Sequence, residues 1–337
     1  MCSNQNIKFG ISINDFLVKR GILQNKISTF APMKTILLIT LVCLLVSCDG
    51  NDSQSNIRAA YYWSTTLDID SQKTAFINGH AITRLYIRYF DVVPGNAGEP
   101  VPNATLKFRS LPDSSIEIIP TVFITNECMK AKTDGLAENI LDRILQMSET
   151  NGVRNVKGMQ IDCDWTMTTR KNFFAFMEEM KRLTHEKGME LSATIRLHQL
   201  SQTPPPCDRG ILMMYNTGDV TDFNCRKPIL DMADAGPYMS HLSGYELPLS
   251  SAYPLFRWEV IFRNGKFVGI QHYEEEYPTL STDSLRTYQP EISDIMKAKE
   301  AIEKRRPDAN NEIILYDLSN YNIKRFNREG YEKILNH

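Results

Sequence analysis

Residues 158–166 read GMQIDCDWT, and the fold turns on this stretch. Met159 and Ile161 suit a buried strand, yet two carboxylates, Asp162 and Asp164, close it. A strand repeats every two residues, so both acids leave the same face. Like charges buried side by side are costly unless paired, hydrogen-bonded or neutralised. The stretch therefore predicts a strand that delivers charge to a place where charge has a use.

Working outward, strand signals recur at 59–67, 82–92, 116–125, 156–165, 191–198, 210–216, 242–249 and 313–318, rich in β-branched and aromatic residues. Helical spacing appears at 137–147, 169–187, 226–234 and 291–304, and a last helix begins at 331. The clearest is 169–187. Thr168 or Thr169 is placed to cap it, Phe173, Phe176, Met177 and Met180 form an apolar stripe, and Gly188 ends it. Strand alternating with helix predicts an α/β chain folded as a (β/α)8 TIM barrel over residues 57–337. A doubly wound open sheet competes, but no phosphate-binding glycine loop supports it. The barrel is expected to be irregular. Residues 94–114 are rich in Pro, Gly and Asn, and 199–209 contains Pro204, Pro205 and Pro206, so neither crossover is a regular helix. Asn264-Gly265, flanked by 258–263 and 266–271, predicts a β-hairpin inserted after strand seven. It reads as a rim or lid element, or as plain structural decoration.

The formal net charge of -2 gives no broad basic field, so nucleic acid is not an expected partner. The N-terminus carries a processing signal. From Met33 the chain runs MKTILLITLVCLLVSC, one lysine ahead of an apolar run too short to span a bilayer. Leu45-Val46-Ser47-Cys48 resembles a bacterial lipobox, in which the cysteine is lipidated and becomes the mature N-terminus. A short buried helix with a chance cysteine is the competing reading. Residues 33–48 are thus expected to be a lipoprotein signal peptide, 1–32 an upstream extension from an early start site, and 49–56 a polar tether. The acidic stretch after Cys48 resembles surface-export signals of Bacteroidetes lipoproteins. The expected location is the cell envelope, on the outer membrane or the cell surface, held to the membrane by the lipid on Cys48. Cys128, Cys163, Cys207 and Cys225 show no CxxC spacing, so no zinc or thioredoxin-type site is expected. The six histidines show neither HxH nor HExxH, so neither metal nor cofactor is expected.

Barrel enzymes work at the C-terminal ends of their strands. Those ends carry Trp63, Arg88, Asp162, Asp164, Arg196, His198, Tyr215, Asn216, Glu246 and Asp317. Each has a plainer reading. Arg196 suits a partner for Asp162, and His198 and Asp317 suit caps or loops. Glu246 suits an edge, and Trp63 and Tyr215 suit packing. Taken together, carboxylates with aromatic platforms suit a sugar ring, because acids bind hydroxyls and aromatics stack on CH faces.

Residues 160–165, QIDCDW, resemble the fourth-strand motif of the chitinase-like barrels, glycoside hydrolase family 18, whose pattern is Asp-Gly-Ile-Asp-Phe-Asp-Trp-Glu. Residues 213–216, MMYN, are similar to their sixth-strand Met-x-Tyr-Asp. A fuller resemblance, over most of the mature chain, is to an uncharacterised bacterial barrel family, domain of unknown function 3142. It is carried by the IDxD strand, the helix after it, the Ser-x-Thr strand and the ELPL stretch before the hairpin. The departures matter. The motif's catalytic Glu is Thr166 here, its first Asp is Met159, and the sixth-strand Asp is Asn216. The family's own mechanism therefore does not carry over. Glycoside hydrolysis needs two carboxyl groups, one protonated and one ionised. Asp164 and Glu246 are expected to be that catalytic pair. Trp63, Arg88, Asp162, Arg196, His198, Tyr215 and Asn216 would bind an oligosaccharide or polysaccharide. The competing expectation is an inactive barrel that binds glycan without cutting it.

Overall fold

The computed structural model describes residues 56–131, 133–271, 277–278 and 280–336. The expected extension, the signal peptide with Cys48 and the tether up to residue 55 lie outside the described residues.

Eight parallel strands form a closed ring: β1 (Ile57–Tyr62), β2 (Arg84–Pro94), β3 (Glu117–Ile124), β4 (Gly158–Asp162), β5 (Glu190–Ile195), β6 (Arg209–Met213), β7 (Leu249–Pro254) and β8 (Glu312–Tyr316). Each pairs with the next, and β8 pairs with β1. This is the expected (β/α)8 barrel. Helices α1 (Ser71–Gly79), α2 (Leu136–Thr150), α3 (Arg170–Glu186), α4 (Met232–Met239), α5 (Ile292–Glu303) and α6 (Arg328–Leu335) follow β1, β3, β4, β6, β7 and β8. Among the described residues no α-helix follows β2 or β5, where the sequence is proline-rich. After β2, Pro100–Asn103 folds back antiparallel on Asp91 to Pro94. After β5, a short turn of 3-10 helix, Leu197–Ser201, leads into an irregular return.

The opening stretch shows why the ring forms. All five residues of β4 are buried. Ile161, Cys163 and Trp165 face the helices, and Trp165 stacks on Phe173 at 5.9 Å and meets Phe174 edge-on at 5.3 Å. Truncating such a buried tryptophan costs roughly 3–5 kcal/mol. Gly158 lets β4 approach β5, since a Cβ there would sit 2.9 Å from the Glu190 carbonyl oxygen.

Strand seven differs from expectation. The apolar alternation at 242–249 belongs to a 3-10 turn, Leu242–Gly244, and an approach segment, and the strand itself is LSSAYP at Leu249–Pro254. Ser250 and Ser251 look unlike core residues, but their hydroxyls are used: Ser250 donates to Glu312 at 2.6 Å and Ser251 to the Ala309 carbonyl at 2.9 Å. The helix expected at 226–234 lies later, at Met232–Met239, started by Asp231 accepting from the Ala233 N–H. The hairpin stands as expected. Asn264 and Gly265 both have positive φ, as a tight two-residue turn between twisted strands requires. A third strand, Asp283–Tyr288, pairs with Trp258–Arg263 and completes a small sheet.

At the N-terminal end of the barrel one carboxylate ties four strands. Glu312, 2 % exposed, accepts from Arg84 at 2.7 Å, Arg209 at 3.0 Å, Tyr86 at 3.0 Å and Ser250 at 2.6 Å. Removing one partner of a buried ion pair leaves an uncompensated charge, a loss of about 3–5 kcal/mol. Glu312→Ala should therefore lower unfolding free energy by about that amount. Urea denaturation measures it, and a loss below about 1 kcal/mol would mean that the cluster is not structural.

Candidate functional site

The site grows from strand alternation. On and just beyond β4, Gln160, Asp162 and Asp164 point inward while their neighbours pack on helices. Gln160 accepts from Tyr61 at 2.8 Å and Thr121 at 3.2 Å, which closes the barrel floor below the mouth. Above it, Asp162 is 3 % exposed and accepts from the Thr194 hydroxyl at 2.6 Å and from Arg196 at 3.3 Å. Asp164, with its side chain 55 % exposed, accepts from Nε of the same arginine. Thr194 and Arg196 lie two apart on and just beyond β5, so they share a face and meet the two acids in step. Arg196 also lies against the Met213 sulfur of β6. One guanidinium thus answers the question posed by the two acids.

Aromatic rings wall the mouth. The Tyr316 ring at the end of β8 lies 5.3 Å from Tyr61, 5.7 Å from Trp63, 5.0 Å from Tyr215 and 5.8 Å from Phe256. Arg88 stands 5.5 Å from the Trp63 ring and forks onto Asp91. Among the described residues the buried Tyr215 hydroxyl has no hydrogen-bond partner. Burial keeps its pKa well above the usual tyrosine value, with Tyr316, Tyr61, Arg196 and Asp162 close enough to contribute. Buried polar groups are mostly hydrogen-bonded, so this donor is a candidate for a ligand contact.

No family model matches the chain, and no curated protein sequence does. Solved structures do match in fold. A spore cortex-lytic enzyme of Bacillus megaterium is 11% identical, with 83% of this chain and 74% of that one covered at a TM-score of 0.53. A chitinase of Chromobacterium violaceum is 10% identical, with 84% and 99% covered at 0.55. A chitinase of Bacteroides thetaiotaomicron is 12% identical, with 83% and 97% covered at 0.53. At such identities the likeness shows the barrel fold.

Trp63, Arg88, Asp162, Asp164, Arg196 and Tyr215 gather at one mouth. His198 is exposed on the turn after β5, close enough to Asp164 and Arg196 to feel both charges. Asn216 is exposed at φ 56, a left-handed conformation that asparagine tolerates, and begins the link after β6. Glu246 does not join them. It is exposed and precedes the first residue of β7, which puts it at the opposite end of the barrel. The neighbouring Tyr245 carbonyl accepts from Arg306, which lies just ahead of β8 at that same end. Asp164 and Glu246 therefore cannot flank one glycosidic bond. Thr166, in the motif's acid position, spends its hydroxyl on Thr168 at 2.9 Å. Its backbone N–H is held by Thr169, which donates to Asn126 at 2.6 Å. Sequence reading missed Tyr316 and Phe256. Counting by twos from Glu312 along β8 would have placed Tyr316 inward, whereas Phe256 needed the correct β7.

Burial is the main cause that raises the Asp162 pKa above its ordinary value. Arg196 and Thr194 oppose it, and Asp164 adds to it. A carboxyl raised on folding contributes stability that is full below its unfolded pKa, near pH 3.9, and lost as pH rises through the folded value. Asp162→Asn cannot ionise and escapes that loss. Its stability relative to the native protein should rise with pH above about 4 and then level off. Urea unfolding at a series of pH values measures this. A difference that shrinks with pH would show that the arginine pairing outweighs desolvation.

Proposed function

We propose that this protein is a cell-envelope lipoprotein that recognises an oligosaccharide or polysaccharide at the C-terminal mouth of its barrel. The observation that carries the reading is the buried Tyr215 hydroxyl, without a partner among the described residues and set among aromatic faces beside Asp162 and Arg196. Sugar rings match this chemistry: their hydroxyls take the donor and the carboxylates, and their CH faces stack on Trp63 and Tyr316. The fold neighbours support it, since two are named as chitinases and one as a spore cortex-lytic enzyme. The strand-four acids hold the sugar rather than cleave it. Both lean on one arginine, and neither faces a second carboxyl at Glu246 or Thr166. Anchoring rests on the sequence pattern at Cys48.

The purified full chain in detergent micelles, screened against plant, fungal and bacterial glycans, should show saturable tryptophan-fluorescence changes with at least one class. Trp63→Ala and Arg196→Met should each weaken that binding by about tenfold or more, near 1.4 kcal/mol. Unchanged affinity in both variants would move the site elsewhere. In a bacterial host, labelled palmitate should enter the native chain and not Cys48→Ser. Equal labelling of the two would remove the lipid anchor from the account.

A further inference from the structure

A cleft of about 800 Å³ opens between the hairpin sheet and the loop after β8, beside the strand-four acids rather than over them. Phe256, Trp258, Glu259, Asp317, Tyr321 and Asn322 are among its walls. The volume suits a ligand site, which typically spans roughly 300–1,000 Å³. Phe256 links it to the mouth, with its ring 5.8 Å from Tyr215 and 5.4 Å from Trp258. A chain seated in the mouth could therefore run on into this cleft.

The cleft holds two carboxyl groups in unlike surroundings. Asp317 follows directly on β8, is half-buried, and accepts from the Asn322 amide at 2.5 Å. Among the described residues no lysine or arginine forms an ion pair with it. Burial is the largest influence on its acidity and pushes its pKa up from the ordinary aspartate value, against the hydrogen bonds from Asn322 and Ser319. Glu259, in contrast, is ion-paired with Arg257 at 2.9 Å, and that guanidinium lies 4.4 Å over the Tyr321 ring. One carboxyl is paired with a cation, and the other, among the described residues, is half-buried with neutral hydrogen-bond donors only. Environments that separate two carboxyl groups in this way assign acid and base.

We propose that Asp317 and Glu259 form a glycoside-hydrolysing pair in this cleft, with Asp317 as general acid and Glu259 as general base. The proposal rests on the glycan reading above. Asp317 gives its proton to the bridging oxygen as the bond from that oxygen to the anomeric carbon breaks, and the leaving sugar departs as an alcohol. A water oxygen bonds to the anomeric carbon, and the proton that this water sheds goes to Glu259. One water is consumed, one new reducing end appears, and proton exchange with solvent resets both carboxyls. Trp258 and Tyr321 supply faces for the sugar rings on either side.

The test uses the full chain in detergent micelles and a panel of neutral polysaccharides, reading reducing ends for cleavage and tryptophan fluorescence for binding. New reducing ends should accumulate. Asp317→Asn and Glu259→Gln should each lower kcat by about 10²–10⁴-fold while affinity for the intact glycan is kept. Residual activity should lose its alkaline limb in Asp317→Asn, a change that a merely structural role would not produce. Glu259 lies on the small sheet outside the barrel, so its variant stays informative if Asp317→Asn fails to fold. Binding without new reducing ends overturns this pair and leaves the glycan reading standing. Cleavage undiminished in both variants also overturns the pair. Absence of binding to every glycan overturns the underlying reading itself.

Discussion

A closed barrel gives its inward side chains almost no water, so each charge that points in must be met by another from a neighbouring strand. Both ends of this barrel are built on that constraint. At the N-terminal end Glu312 sits between Arg84 and Arg209. At the C-terminal end Arg196 sits between Asp162 and Asp164. In the lower cluster the Glu312 carboxylate is nearly dry, and Tyr86 and Ser250 complete its hydrogen bonds. Such a cluster fixes which strands lie side by side, because an isolated buried charge is worth several kcal/mol of destabilisation.

The upper cluster meets the same constraint with a different balance. Asp162 is buried while Asp164 reaches solvent, so the arginine bridges a dry acid and a wet one. The aromatic wall from Trp63 through Tyr316 to Phe256 keeps the surroundings low in water, while the Asp164 side chain stays 55 % exposed. Charge that is satisfied but still reachable suits recognition, and the Tyr215 donor adds direction. Beyond Phe256 the wall continues to Trp258 of the hairpin sheet, so this insertion extends the mouth sideways into the cleft that holds Asp317 and Glu259.

Much of this was legible in the sequence. GMQIDCDWT identified a strand with inward acids, and the barrel followed from the spacing of strand and helix around it. Proline runs marked the two helix-free crossovers, and Asn264-Gly265 marked the hairpin. The failure at β7 has a physical cause. A barrel strand buried on both faces needs small residues where neighbours crowd, so Ser250, Ser251 and Ala252 carry no hydrophobic signal, while Leu242, Tyr245 and Leu247 nearby do. Shifting the strand carried Glu246 to the wrong end and hid Phe256 and Trp258 from the site. Asp317 was legible as the residue that ends strand eight. That no lysine or arginine among the described residues pairs with it was not, because that depends on what surrounds it in space.

The account stands most directly on where a sugar sits. A crystal structure of the protein with a bound oligosaccharide measures it. The account predicts a ring against Trp63 and Tyr316, with the Tyr215 hydroxyl donating to a sugar oxygen at ordinary hydrogen-bond length, about 2.7 Å. A sugar bound elsewhere on the surface, with Tyr215 still unpartnered, would contradict it.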